Sequence, residues 1–244
     1  LGTAGTTPFA SNIDLLVDAR KMMDDMGIPQ SGRQLVIDTT AGAKMRKLSH
    51  LQKVNEAGTS DLLRMGVLDQ LMNFDIRESA QIALHTAGAG ASYQLNGAHA
   101  AGSTSIAVDT GTGTLLAGDV LTFANGSPAD DVSYVVNTAL TGGTVVIGRP
   151  GTKVAHVDND AVTRAASYRA NMIFHRSALV LATRAPALPD EGDQADDSMI
   201  IQDPVTGMAF EIRVYKQYRR VRYEIGAAWG VANMHPAFTL NLMG

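Results

Sequence analysis

Cysteine is absent from all 244 residues. That excludes disulfides and thiolate metal sites, and it fits synthesis in a reducing cytosol. A basic excess is also lacking: 20 Lys and Arg stand against 24 Asp and Glu, a net charge of −4. General binders of DNA or of anionic membranes usually carry the opposite balance. No apolar run approaches the roughly 18 residues of a membrane-spanning helix, so no membrane partner is expected. The start, Leu1 to Pro8, has neither the basic flank nor the apolar core of a secretory signal, and Leu1 in place of Met suggests residues upstream. What is present is ordinary for a folded chain. Hydrophobic residues make up 45% and charged residues 18%, enough for one large domain or two smaller ones.

The motifs of catalysis are missing as well. Gly88-Ala-Gly90 and Gly111-Thr-Gly113 begin like dinucleotide loops but lack the third glycine and a following helix, so they read as turns. There is no phosphate-binding loop, no His-Glu-x-x-His and no Gly-x-Ser-x-Gly elbow. The six histidines never fall at metal-ligand spacing, and His175 reads as a hydrogen-bonded core or boundary residue. Asp158-Asn159-Asp160 lacks the alternating ligands of a calcium loop. No enzyme, cofactor or metal site is expected.

Along the chain, Ser11 to Met26 reads as a helix, with Ser11 as N-cap and Leu15, Ala19, Met22 and Met26 on one face that Leu16 and Met23 widen, stopped by Gly27 and Pro29. Arg33 to Asp38 reads as a buried strand, and Thr39 or Thr40 caps a second helix to about Leu48. A polar loop, Asn55 to Ser60, a helical turn at Asp61 to Arg64 and a strand Phe74 to Glu78 follow. At about His85 the composition shifts to Gly, Thr, Ala and Val. Strand-like runs at 104–108, 119–123, 133–136, 143–147 and 161–163 are separated by turn signals at Gly111-Thr-Gly113, Asn125-Gly126, Gly142-Gly143 and Pro150-Gly151. That spacing predicts a small barrel or sandwich inserted into a mixed body. A helix is expected over Tyr168 to Thr183, ended by Pro186 and Pro189. Then come an acidic loop, Asp190 to Asp197, and a hairpin turning at Asp203-Pro-Val-Thr-Gly207.

Phe210, Ile212 and Val214 share one parity, whereas Val221, Tyr223 and Ile225 share the other, which predicts a bulge or break near Lys216 to Arg220. Around that point lie Arg213, Lys216, Arg219, Arg220 and Arg222, interleaved with Tyr215, Tyr218 and Tyr223. Three readings are open: nucleic-acid contact by arginine and stacking aromatics, a solvated strand face, or an interface ribbon whose arginines pair with carboxylates of a neighbouring subunit. The acidic loop offers complementary charge for the last. Arg213, Lys216, Arg219, Arg220, Arg222 and Tyr218 are the candidate interface residues.

The order of these elements resembles tailed-bacteriophage major capsid proteins of the Hong Kong 97-type fold, in the short-tailed-phage branch with an inserted β-domain. The resemblance is carried by the Asn12 to Met26 helix, the Gly27-Ile-Pro29 stop, the Arg33 to Asp38 strand, the passage Gly58 to Leu68 into Asn73 to Ser79, and the run Ala170 to Thr183. It implies an α+β fold: an axial domain over 1–84, an inserted all-β barrel or sandwich over 85–167, and a return over 168–244 with a peripheral hairpin and terminal strands. It further implies a structural subunit that self-assembles into an icosahedral shell around DNA. The partners would be other copies in hexamers and pentamers, with scaffolding and portal proteins, and the DNA would be enclosed without specific binding. The chain would be made in the bacterial cytoplasm and reside in the virion capsid. The competing class is a β-rich attachment or adhesin component. Against it, Tyr93, Phe123 and Tyr134 are the only aromatics between His85 and Ala165.

Overall fold

The computed structural model describes residues 1–57, 61–124, 130–187, 192 and 195–244. Two compact units divide the chain: Leu1–Ile173 with Leu240–Gly244, and Phe174–Thr239.

In the first unit, α1 (Asp14–Asp25) buries Leu16, Ala19 and Met23, all within the expected face and centred on the side that Leu16 and Met23 widen. Ser11 does not cap it. Instead Asn12 Oδ1 accepts from the Asp14 amide at 3.3 Å. Gly27, with φ of +71°, ends the helix as the sequence predicts. β1 (Arg33–Ile37) follows, and its first side chain turns back on the helix. Arg33 is fully buried and donates to the carbonyls of Ile28 (2.6 Å) and Pro29 (3.0 Å) and to Asp24 Oδ1 (2.6 Å). A guanidinium there answers the carbonyl-rich end of a helix. Asp38, rather than either threonine, caps α2 (Thr39–Arg46), accepting from the amides of Thr40 and Ala41. Short helical pieces α3 (Ser49–Gln52), α4 (Val54–Ala57) and α5 (Asp61–Met65) lead to β2 (Gln70–Leu71), β3 (Phe74–Glu78) and β4 (Leu84–His85). Of the polar loop expected over Asn55 to Ser60, Asn55 to Ala57 belong instead to α4, and 58–60 lie outside the described residues.

β5 (Tyr93–Leu95), β6 (Ser105–Asp109), β7 (Val120–Phe123), β8 (Tyr134–Thr141), β9 (Thr144–Ile147) and β10 (Ala161–Arg164) close into a barrel in the order β10-β5-β6-β9-β8-β7. Alternate residues point inward, so Leu95, Ile106, Val108, Leu121, Phe123, Val136, Val145 and Ile147 fill it. Closure leaves none of these strands with an open edge. The turn expected at Asn125-Gly126 lies outside the described residues. β11 (Tyr168–His175) then joins a six-stranded sheet with β17 (Thr239–Met243), ordered β17-β11-β1-β3-β2, with β4 also on β11. β1 and β3 run parallel, Leu35 opposite Ile76. Buried Asn171 on β11 accepts from the Asp38 amide at 2.7 Å, which ties that strand to the start of α2.

The second unit contains β12 (Leu179–Arg184), β13 (Asp197–Gln202), β14 (Ala209–Gln217), β15 (Arg220–Gly226) and β16 (Ala228–Asn233). β12 pairs with β16, and β13-β14-β15 form an antiparallel meander.

Two expectations are corrected. The helix over Tyr168 to Thr183 is absent: β11 and β12 occupy that span, divided by a turn in which the Ala178 amide donates to the His175 carbonyl. Burial from Asn171 onward alternates, with Asn171, Ile173 and His175 in and Met172 out. That is the period of a strand, and the neighbouring strands supply a ladder that outweighs the helical spacing of the same apolar residues. With that helix gone the chain is mostly β, seventeen strands against α1 and shorter helical pieces among the described residues. The α+β, Hong Kong 97-type architecture read from the sequence is therefore not the one observed.

Candidate subunit-interface ribbon

The parity change in the Arg-rich segment has a simple cause. β14 and β15 are joined by a tight hairpin: Gln217 pairs with Arg220, which leaves Tyr218 and Arg219 as the turn. Arg219 takes a φ of +58°, a left-handed conformation unusual for a non-glycine residue. In this antiparallel register every pair joins an odd to an even position, as in Ile212 with Ile225 and Val214 with Tyr223. Directly paired residues point to the same side of a sheet. The expected break is thus the hairpin itself, with no bulge in the β14–β15 ladder, and both apolar sets fall on one face.

β13 extends that face, since Met199 pairs with Ile212 and Ile201 with Phe210. The apolar face therefore carries Met199 and Ile201, then Phe210, Ile212 and Val214, then Val221, Tyr223 and Ile225, with Asp197 and Lys216 at its end. It meets solvent: Tyr223 and Ile225 are each 70% exposed. The opposite face carries Glu211, Arg213, Arg220, Arg222 and Glu224. Its centre is covered, for Glu211 and Arg213 form a 2.8 Å ion pair with side chains only 10% and 11% exposed. The charged pair on β14 is thus better covered than Tyr223 and Ile225 opposite it, while Ile200, Arg220, Arg222 and Glu224 on its own face are exposed as well.

The six residues singled out from the sequence are therefore not one patch. Arg213 and Arg222 lie on the polar face, Arg222 beside Glu224 at 3.5 Å. Lys216 lies at the end of the apolar face; its amide donates to Asp196 Oδ2 at 2.6 Å and its ammonium stands 3.9 Å from Oδ1. Tyr218 and Arg219 form the hairpin tip, the guanidinium 5.5 Å from the ring centroid, a cation–π distance. Arg220 donates to Gln217 Oε1 at 2.7 Å. Of the acidic loop, Asp190, Glu191 and Asp193 lie outside the described residues, while Asp196 meets Lys216 within the same chain.

A scan against protein-family models gives no match, and a search of curated proteins gives none either. Among solved structures, a chain from Mycobacterium phage Che8 matches 99% of this chain and 53% of its own length, at 15% identity and a TM-score of 0.39. The chain is similar to a phage protein. It spans about half the length of that relative.

The β12–β16 ribbon has an apolar face of its own. Leu181 pairs with Val231, and Thr183 with Trp229, which is 73% exposed. The resemblance gives the Met199 to Tyr215 hairpin a peripheral contact role, whereas this ribbon, with the lone Trp229, is not singled out as a surface from the sequence.

Two histidine–carboxylate sites, one of them fully buried, support the barrel unit. His156 sits between Asp130 (Nε2 to Oδ2, 3.1 Å) and Asp160 (Nδ1 to Oδ2, 3.2 Å), and all three side chains are buried. Asp119 accepts from the amides of Gly88 and Leu116 and meets His85 Nε2 at 2.8 Å. Asp158 accepts from the Gly97 amide at 2.7 Å. These carboxylates pin loops to the barrel. His175 lies at the end of β11, its Nδ1 2.7 Å from the Ser177 hydroxyl.

Proposed function

We propose that the chain is a structural subunit of a viral shell, of a phage or prophage, which assembles with other copies of itself into an icosahedral container for DNA. One observation carries the reading: the three-stranded sheet buries an ion pair on one face and leaves a contiguous apolar face to water. Such surface on a folded protein marks a place where another molecule sits, and a subunit that tiles needs surfaces that only its neighbours cover. The arginine tip at Tyr218 to Arg220 adds the residue types that anchor interfaces. A net charge of −4 suits a wall that encloses DNA without binding it specifically. The partners in this reading are copies arranged as hexamers and pentamers, with scaffolding and portal proteins during assembly, and the site of action is the virion. No catalytic role is assigned.

The test is electron microscopy and sedimentation of the chain, expressed alone and with the scaffolding protein of a phage that encodes it. Closed particles are expected. A chain that stays monomeric at high concentration in both cases would count against the reading.

A further inference from the structure

We propose that Asn96-Gly97, at the end of β5, is a latent deamidation site and that Asp158 is the residue that keeps it closed. The proposal goes beyond the shell reading and does not depend on it, because it concerns the barrel of a single chain.

Asn-Gly is the dipeptide most prone to this reaction, since glycine has no side chain to obstruct its own nitrogen. The Gly97 nitrogen loses its proton to solvent base and attacks Cγ of Asn96. A new N–C bond closes a succinimide ring, the Cγ–Nδ2 bond breaks, and Nδ2 takes up a proton and leaves as ammonia. Water then opens the ring at either carbonyl, giving aspartate or, by the longer backbone path, isoaspartate. Water is the only co-reactant.

The fold presents this dipeptide openly. Asn96 is exposed, and Gly97 has a φ of +83° with open space where a side chain would stand. Left-handed backbone favours glycine, so the turn retains the reactive pair. What the fold withholds is the nucleophile. The Gly97 N–H donates to Asp158 Oδ1 at 2.7 Å, and Asn159 Nδ2 holds the other oxygen of that carboxylate at 2.7 Å. A proton bonded to a carboxylate is harder to remove, and the negative charge beside it opposes the anionic nitrogen that must form.

The backbone around the pair is fixed as well. The Leu95 amide donates to the Asp160 carbonyl at 2.9 Å, the Asn96 amide to the Ala107 carbonyl at 3.0 Å, and the Asn159 amide to the Leu95 carbonyl at 2.9 Å. Ring closure needs the Gly97 nitrogen to turn toward Asn96 Cγ, and these bonds resist the turn. Asp158-Asn159-Asp160, which lacks the pattern of a calcium loop, thereby acquires a role at each position. Asp158 holds Gly97, Asn159 holds Asp158, and Asp160 holds His156. Failure of the guard would set a second carboxylate near Asp158, and isoaspartate would add a methylene to the backbone where β5 ends.

The test follows deamidation at Asn96 in mildly alkaline buffer, by mass spectrometry of the digested chain and an isoaspartate assay. The full unassembled chain is compared with Asp158→Ala, with Asp158→Asn, which keeps an acceptor without the charge, and with a synthetic peptide of residues 93–101. A hydrogen bond to a charged acceptor is worth about a factor of ten or more, so the peptide should react at least about tenfold faster than the chain. Discounted for exposure, Asp158→Ala should react about fivefold or more faster than the unaltered chain, with Asp158→Asn between the two. Circular dichroism checks that the variants are folded. If the alanine variant does not fold, Asp158→Asn against the unaltered chain decides on the same sign. Equal rates in variant and unaltered chain would overturn the guard. A slower variant would overturn it too, by making the carboxylate a base that promotes the reaction. An unaltered chain as fast as the peptide would show that the site is not closed at all.

Discussion

Glu211 and Arg213, two residues apart on β14, close a buried 2.8 Å ion pair on one side of the sheet, while Ile212 between them points to the other. Breaking a buried pair by removing one partner typically costs about 3–5 kcal/mol. Glu211→Ala should therefore loosen the second unit selectively. Hydrogen exchange should show faster amides in β13 to β15 and unchanged amides in β5 to β10. Uniform protection across both would show that the pair contributes little.

At the hairpin tip, Arg219 and Arg220 stand out from the paired cations of the sheet. Arg219 lies over the Tyr218 ring and Arg220 donates to Gln217. Arg219→Glu with Arg220→Glu should impair assembly, and the circular-dichroism spectrum and melting temperature of the unassembled chain should stay within error. Normal particles from the double variant would remove the tip from the interface.

Trp229, the only tryptophan, reports on the β12–β16 ribbon without labelling. In the free chain its emission should be that of an indole in water. If assembly covers Leu181, Val231 and Trp229, the emission moves to shorter wavelength and acrylamide quenching falls severalfold. Unchanged emission in assembled particles would mean that this ribbon stays wet.

The Tyr134 hydroxyl donates to Asp130 at 2.7 Å and accepts from the Lys153 amide at 2.8 Å. Burial, with the neighbouring Asp130, pushes its ionisation up to about 12 from an ordinary 10.0. The folded state thus holds the proton more tightly than the unfolded chain. That stability is complete below about pH 10 and is lost as pH rises through about 12. Tyrosinate absorbance should show a late step that Tyr134→Phe diminishes; Tyr168, raised as well by burial, accounts for the remainder. Six tyrosines all ionising near pH 10 would contradict it.

The barrel was the most legible part of the fold. Ile106, Val108, Leu121, Phe123, Val145 and Ile147 alternate with polar neighbours between turn residues, so local pattern and final structure agree. β5 escaped notice because three residues are too few to show a period. The span 168–183 misled for a different reason: its apolar residues suit a helix and a strand equally, and only long-range pairing decides between them. At the ribbon, residue types singled out a segment, but a face is set by hairpin register. The apolar face could be read only once Gln217 was known to pair with Arg220.

Because β5 to β10 close on themselves, loops can be lengthened there without offering a strand to a neighbour. The turn at Gly142 and Gly143, between β8 and β9, has left-handed backbone at both residues and open space around Gly142. A foreign peptide grafted at that point would ride on a sealed scaffold, well away in sequence from the β14–β15 hairpin.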